Sequence, residues 1–133
     1  MSDVVQVIGH TRNGLALRDV RRLSDGVADQ ALFAVAKGGL TAESWVYAHN
    51  GDGFDGLTDF FRSMAKSWRG WDGARTWSSL EGDLTLTAKH DGHVRLLVQI
   101  RDSIDWSAEI ELTIDAGEEL TAAVAALSES LDS

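Results

Sequence analysis

The side chains best equipped for chemistry are four histidines, one tyrosine and five tryptophans, set among 21 acids and 12 bases with no cysteine. The lack of cysteine removes disulfides and thiolate chemistry. His90 and His93 flank Asp91-Gly92, which reads as a two-residue hairpin turn that sends both rings to the same side. Two histidines fall short of the protein ligands a zinc site needs, so the pair reads as exposed hairpin residues and no metal is expected. Asn50-Gly51-Asp52-Gly53-Phe54-Asp55 resembles a calcium loop only in composition. Phe54 stands where a third oxygen ligand belongs, and no Glu closes the loop at the twelfth position. The better reading is a turn whose Asp52 or Asp55 caps a following helix.

No phosphate-cradling Gly-x-x-x-x-Gly-Lys loop, dinucleotide Gly-x-Gly-x-x-Gly or Gly-x-Ser-x-Gly elbow occurs. Serines, histidines and acids are present, but composition does not make a triad. Glu109 and Glu111 share a strand face and form the nearest approach to a carboxylate pair. On an outer face both would be solvated and would not perturb each other. The chain therefore reads as non-enzymatic, with no cofactor.

The formal net charge of −9 is unevenly placed. Residues 1–101 hold 12 acids and 12 bases, so they balance; residues 102–133 hold 9 acids and no bases. The ordinary role of such a segment is a solvated face on the last strand and helix. The functional reading is a field that steers a basic protein partner, with Glu109, Glu111, Glu118 and Glu119 as its contacts. Binding of a nucleic-acid backbone needs the opposite charge. Mimicry of nucleic acid would need more carboxylates at phosphate spacing.

Three of the five tryptophans fall between Trp68 and Trp77, interleaved with Arg69, Gly70, Asp72, Gly73 and Arg75. Trp and Arg dominate binding hot spots because they combine area, stacking and donors. Trp71, Arg75 and Trp77 are therefore candidate partner anchors. The ordinary role is that the indoles close the end of the core, while Arg75 pairs with Asp72, Glu81 or Asp83. The run Trp68-x-Gly70-Trp71-x-Gly73-x-Arg75-Thr76-Trp77-x-Ser79-Leu80-Glu81-Gly82-Asp83-Leu84-x-Leu86, followed by His90-Asp91-Gly92, resembles a family of small acidic actinomycete proteins of unknown function. The likeness extends upstream through Tyr47-Ala48-His49 and Gly51-Asp52-Gly53, and downstream to Leu112-Thr113-Ile114-Asp115-Ala116-Gly117-Glu118. It covers residues 45–120 well and the region before residue 30 weakly. It implies a shared fold and no activity, cofactor or catalytic residue.

The elements that must position these groups follow from periodicity. Residues 3–8 and 14–23 alternate as two strands joined at Asn13-Gly14, with a phase change near Val20 that predicts a bulge. Residues 30–37 and 40–49 form a hairpin around Gly38-Gly39. In its second strand, Ala42, Ser44, Val46 and Ala48 oppose Glu43, Trp45, Tyr47 and His49, and the pattern leaves the buried face open. Phe54, Leu57, Phe60, Phe61, Met64 and Trp68 recur at helical spacing over residues 55–68. Strands at 84–90, 93–101 and 104–115 alternate cleanly, as in an antiparallel sheet with one covered face. A final helix starts at Asp115, with a capping box to Glu118. The order β-β-β-β-α-β-β-β-α gives an α+β fold: a mostly antiparallel sheet of about six to seven strands with two helices on one face.

Length and composition suit one domain over residues 1–133. No run approaches the roughly 18 apolar residues of a membrane span, and the basic start of a secretory signal is missing, so a cytoplasmic protein is expected. With no proline, turns fall to Gly, Asn, Asp and Ser. The leading reading is a protein-binding module of the immunity or regulatory type, by analogy of size, charge and fold class. The alternative is a small-molecule binder or enzyme with a pocket between helix and sheet, lined by Tyr47, His49, Trp71, Arg75 and His90. Homodimerisation through an uncovered sheet face or edge strand competes with both.

Overall fold

The computed structural model describes residues 4–49, 53–102 and 105–131. The element order is β1 (Val5–His10), β2 (Asn13–Arg22), β3 (Ala28–Lys37), β4 (Leu40–Tyr47), α1 (Asp55–Lys66), β5 (Arg75–Ser78), β6 (Leu84–His90), β7 (Val94–Asp102), β8 (Trp106–Ile114) and α2 (Glu118–Leu131). The fold is α+β, as the alternation implies. The strands form two four-stranded antiparallel meanders, β1-β2-β3-β4 and β5-β6-β7-β8, in place of the single sheet of about six to seven strands expected from periodicity. The additional strand is β5. Its inward residues Arg75 and Trp77 are half-buried and alternate with exposed Thr76 and Ser78. Four residues carry too short a period-2 signal to stand out from the surrounding Trp and Gly.

The helices do not share one face of a common sheet. On one side of the molecule β4 meets β7 and β3 meets β8; elsewhere α2 packs on β1, α1 packs on β5, and the helices pack on each other. Both sheets and both helices contribute to one apolar core, including Phe33, Val46, Phe61, Leu86, Val98, Leu112 and Leu127. The ambiguous face of β4 is now fixed: Ala42, Ser44 and Val46 point into the core with Ala48 beyond them, and Glu43 and Tyr47 point out.

Several boundaries differ from expectation for local reasons. The β1–β2 turn falls at Thr11-Arg12, because an irregularity between Gln6 and Ile8 shifts the register and pairs His10 with Asn13. Asn13 and Gly14 are therefore strand residues. Gly9 opposite them takes φ 66°, and a Cβ there would run into the Asn13 carbonyl. The bulge expected in β2 is present: the pairing slips between Arg18 and Arg21, where Asp19 has φ 54°.

Helix α1 buries Leu57, Phe60, Phe61 and Met64 as its spacing requires. It stops two residues short of Trp68, since the Ser67 N–H closes on the Ser63 and Met64 carbonyls and Gly70 N–H on the Ser67 carbonyl. Trp68 leaves the helical stripe and is 51% exposed. Asp55 occupies the first helical turn and makes no capping bond; Phe54 holds the cap position. Asp52 lies outside the described residues, as does Ile104, which had been expected to open the last strand. Helix α2 begins at Glu118, so Asp115 precedes it by too much to form a capping box, and its carboxylate faces His93 at 3.6 Å.

Candidate functional site

The tryptophan–glycine segment is a joint between α1 and the second sheet. Arg75 extends from β5 to the end of α1, where Nη1 donates to the Ser63 carbonyl at 3.0 Å and Nη2 to Ser67 Oγ at 3.1 Å. A cation at the last carbonyls of a helix satisfies orphan acceptors and opposes the helix dipole. The ion pair expected with Asp72, Glu81 or Asp83 does not form; the Ser63 carbonyl and the Ser63 and Ser67 hydroxyls take its place. The same guanidinium lies 4.5 Å from the Trp71 ring centroid, and His90 meets that ring edge-on at 5.1 Å. Trp71 and Trp77 are both part-buried against the core.

The β6–β7 turn spans three residues, Asp91-Gly92-His93, so His90 pairs with Val94 and not with His93. His90 Nδ1 accepts from the Gly92 N–H at 3.3 Å, which leaves Nε2 protonated to donate to the Trp68 carbonyl at 2.9 Å. His93 instead faces Asp115. Both nitrogens of His90 are committed, and the two rings serve different partners. Among the described residues no group of three or more His, Asp or Glu side chains could hold a metal ion.

The five residues of the predicted pocket do not converge. Trp71, Arg75 and His90 come together. His49 donates Nε2–H to the Ser78 carbonyl at 3.1 Å, and its backbone pairs with Gly53. Tyr47, 44% exposed, lines a different depression.

That depression is a groove of about 640 Å³ lined by Leu32, Ser44, Trp45 and Tyr47 of the first sheet, with Glu43, Glu81, Asp83 and Asp102. The loop that brings Glu81 and Asp83 there is tightly fastened. Buried Ser79 accepts the Leu84 N–H on Oγ at 3.1 Å, and its carbonyl accepts the Gly82 N–H at 3.0 Å. Arg101 spans the loop, donating to the Glu81 carbonyl at 2.8 Å and the Gly82 carbonyl at 3.2 Å. Gly82 has φ 73°, and a side chain there would press on that guanidinium. Arg101 thus spends its donors on backbone. Burial raises the Asp83 carboxyl above the usual carboxylate range; Arg101 opposes the shift, and Glu81 and Asp102 add to it. Arg21 lies 4.2 Å from the Trp45 ring centroid, and Arg18 pairs with Glu43 at 3.3 Å.

Sequence reasoning did not pick out Trp45, Glu43, Glu81, Asp83 or Asp102 as one group. They come from β4, β7 and the β5–β6 loop, and their convergence has no local signature. Glu109 and Glu111 lie on the outer face of β8, as expected, but they are partly matched. Gln99 donates to Glu109 at 2.8 Å, and Arg95 bonds both Glu111 at 3.4 Å and Asp91 at 2.7 Å. Glu118 and Glu119 stand in the first turn of α2, where carboxylates favour the helix dipole.

The architecture is thus that of an α+β protein with an open acidic groove. The chain belongs to a family of unknown function, DUF6228, whose model matches residues 6–133. Neither a curated protein nor a solved structure matches it. Among the described residues no helix is long and apolar enough to cross a membrane.

Proposed function

We propose that the chain is a non-enzymatic binding module for a basic protein partner, of the immunity or regulatory type, acting in the bacterial cytoplasm. The observation that carries this reading is the groove in which Glu43, Glu81, Asp83 and Asp102 surround Trp45 and Tyr47. A carboxyl whose ionised form is disfavoured by burial and by like neighbours gains most from an incoming cation. The exposed ring of Tyr47 beside it attracts the same cation. An Arg or Lys side chain of the partner meets both requirements. Asp102 ties the groove to the acidic last quarter of the chain, whose outer carboxylates Glu109, Glu111, Glu118 and Glu119 add long-range steering. The anchoring aromatic becomes exposed Tyr47, because Trp71, Arg75 and Trp77 are engaged within the fold and Trp45 already carries Arg21.

The volume also falls in the range of small-molecule sites, about 300–1,000 Å³. Such sites are mainly apolar, whereas half of this lining bears carboxylates. A charged protein surface suits it better.

Capture from the native host's lysate tests the reading, with wild type and Glu81→Gln/Asp83→Asn as bait at low and high salt. Wild type is expected to retain one basic protein stoichiometrically and release it at high salt. The groove variant should retain little of it. A partner held equally by the groove variant would remove the groove from the account. Retention of no basic protein by folded wild type would remove the module itself.

A further inference from the structure

The geometry points to how the basic partner docks: an extended segment of it, with Lys or Arg at alternating positions, adds to the free edge of β4 as a further strand of the first sheet. This rests on the acidic groove as the site of a basic partner and adds the shape of that partner's backbone. The Ala48 N–H donates to the Asp29 carbonyl at 2.8 Å, which sets the phase of the β3–β4 ladder. Ala42, Ser44 and Val46 therefore bond β3, and the N–H and C=O groups of Thr41, Glu43, Trp45 and Tyr47 point the other way. Among the described residues no backbone group pairs with them there. The Trp45 carbonyl meets the Ser44 hydroxyl at 3.4 Å. The acidic groove lies along this edge, since both faces of β4 line it: Ser44 from the inner face, and Glu43, Trp45 and Tyr47 from the outer.

The other three sheet edges are each protected. α2 packs on β1, whose pairing also slips between Gln6 and Ile8. β5 has four residues. On β8 the Lys37 ammonium takes the Glu111 carbonyl at 2.6 Å. A covering helix, short length, irregular pairing and an edge lysine are devices that keep strands from recruiting another chain. β4 has none of them: it pairs with β3 over eight residues without a register shift and carries no Lys, Arg or Pro. The bank opposite selects the charge. Glu81, Asp83 and Asp102 take part in no ion pair among the described residues, and Arg101 gives its donors to backbone. An added strand sets alternate side chains on one face, so a base at every second position meets this bank while the main chain satisfies β4. A second copy pairing β4 with β4 would bring Glu43 and no base to those carboxylates, and like charge opposes it.

Solution NMR with an eight-residue peptide, as long as β4, acetylated, amidated and alternating Arg with Thr, tests this. Titration should shift the amide signals of Glu43, Trp45 and Tyr47 and slow their exchange with solvent. Two isomers, N-methylated at every Arg or at every Thr, keep the charge and lose alternate donors. The isomer whose blocked amides face β4 should bind about tenfold or more weakly than the other, through its lost hydrogen bonds. Equal affinity of the two isomers would remove the added strand. Loss of that binding in Glu81→Gln/Asp83→Asn would then leave the acidic groove standing as a site for basic groups. Failure of the parent peptide to bind the folded protein would overturn the strand, and lysate capture would judge the groove separately. Protection of the same amides that grows with protein concentration, without peptide, would overturn it by seating a second copy on the edge.

Discussion

The Arg75 guanidinium stacks 4.5 Å from the Trp71 ring while donating to the Ser63 carbonyl at the end of α1. One side chain therefore joins a strand of the second sheet, the tryptophan–glycine segment and a helix terminus. Removing it takes a charged donor from the Ser63 carbonyl and from Ser67 Oγ and leaves an indole face without its cation. Arg75→Ala is expected to cost about 1–3 kcal/mol, the range for a charged hydrogen-bond donor. Arg75→Lys should recover only part, because an ammonium cannot bridge two acceptors and stack at once. Urea denaturation followed by tryptophan fluorescence measures both, and a neutral Arg75→Ala would show that the joint is held elsewhere.

Asp83 gives a pH dependence with a definite sign. Its folded pKa is raised above the ordinary carboxylate value, chiefly by burial. The protonated group is favoured in the folded state, so this stability is present below the unfolded pKa and is lost as pH rises through the folded one. Asp83→Asn should therefore melt above wild type at neutral pH, with the gap closing as acidity reaches the range where Asp83 is protonated in both states. A variant that melts lower at neutral pH, or a gap that widens in acid, would contradict the assignment.

Phe61 and Trp68 share one helical stripe in the sequence and have opposite fates in the fold. Phe61 is fully buried, in edge contact with Phe60 at 5.6 Å, whereas Trp68 is half exposed. Phe61→Ala should cost about 3–5 kcal/mol through lost burial and the cavity left behind. Trp68→Ala should change the stability of the monomer by about 0.5 kcal/mol or less, as is usual for surface positions. Thermal or chemical unfolding compares them directly.

His90 should carry its proton on Nε2 when neutral, because Nδ1 is occupied by the Gly92 N–H and Nε2 faces the Trp68 carbonyl. Long-range proton–nitrogen correlation spectra distinguish the two tautomers. A protonated Nδ1 in the neutral ring would mean that the β6–β7 turn closes differently.

Much of the scaffold was legible because its signals are local. The alternation of residues 84–90 and 94–102 repeats over enough positions to fix strand and face, and the hairpin at Gly38-Gly39 follows from its turn residues. β5 was not legible, since four residues rich in Trp and Arg do not declare a period. The length of α1 was misread by two residues because the spacing of Trp68 continues the stripe after the backbone has already turned. Tyr47 and Trp71 could be singled out by type, but nothing in their spacing told which would meet His90 and which would meet Asp83.

The sequence by itself determined the α+β class, the antiparallel pairing of neighbouring strands, the apolar side of α1 and the concentration of negative charge after residue 101. Each rests on interactions between residues close in the chain or on composition. Only the tertiary structure decided that the strands divide into two sheets, that Arg75 serves a helix end and that His90 and His93 part company. It likewise decided that Glu43, Glu81, Asp83 and Asp102 gather around Trp45 and Tyr47. Those outcomes depend on the packing of elements distant in sequence, where burial of a shared core overrides what any single segment prefers.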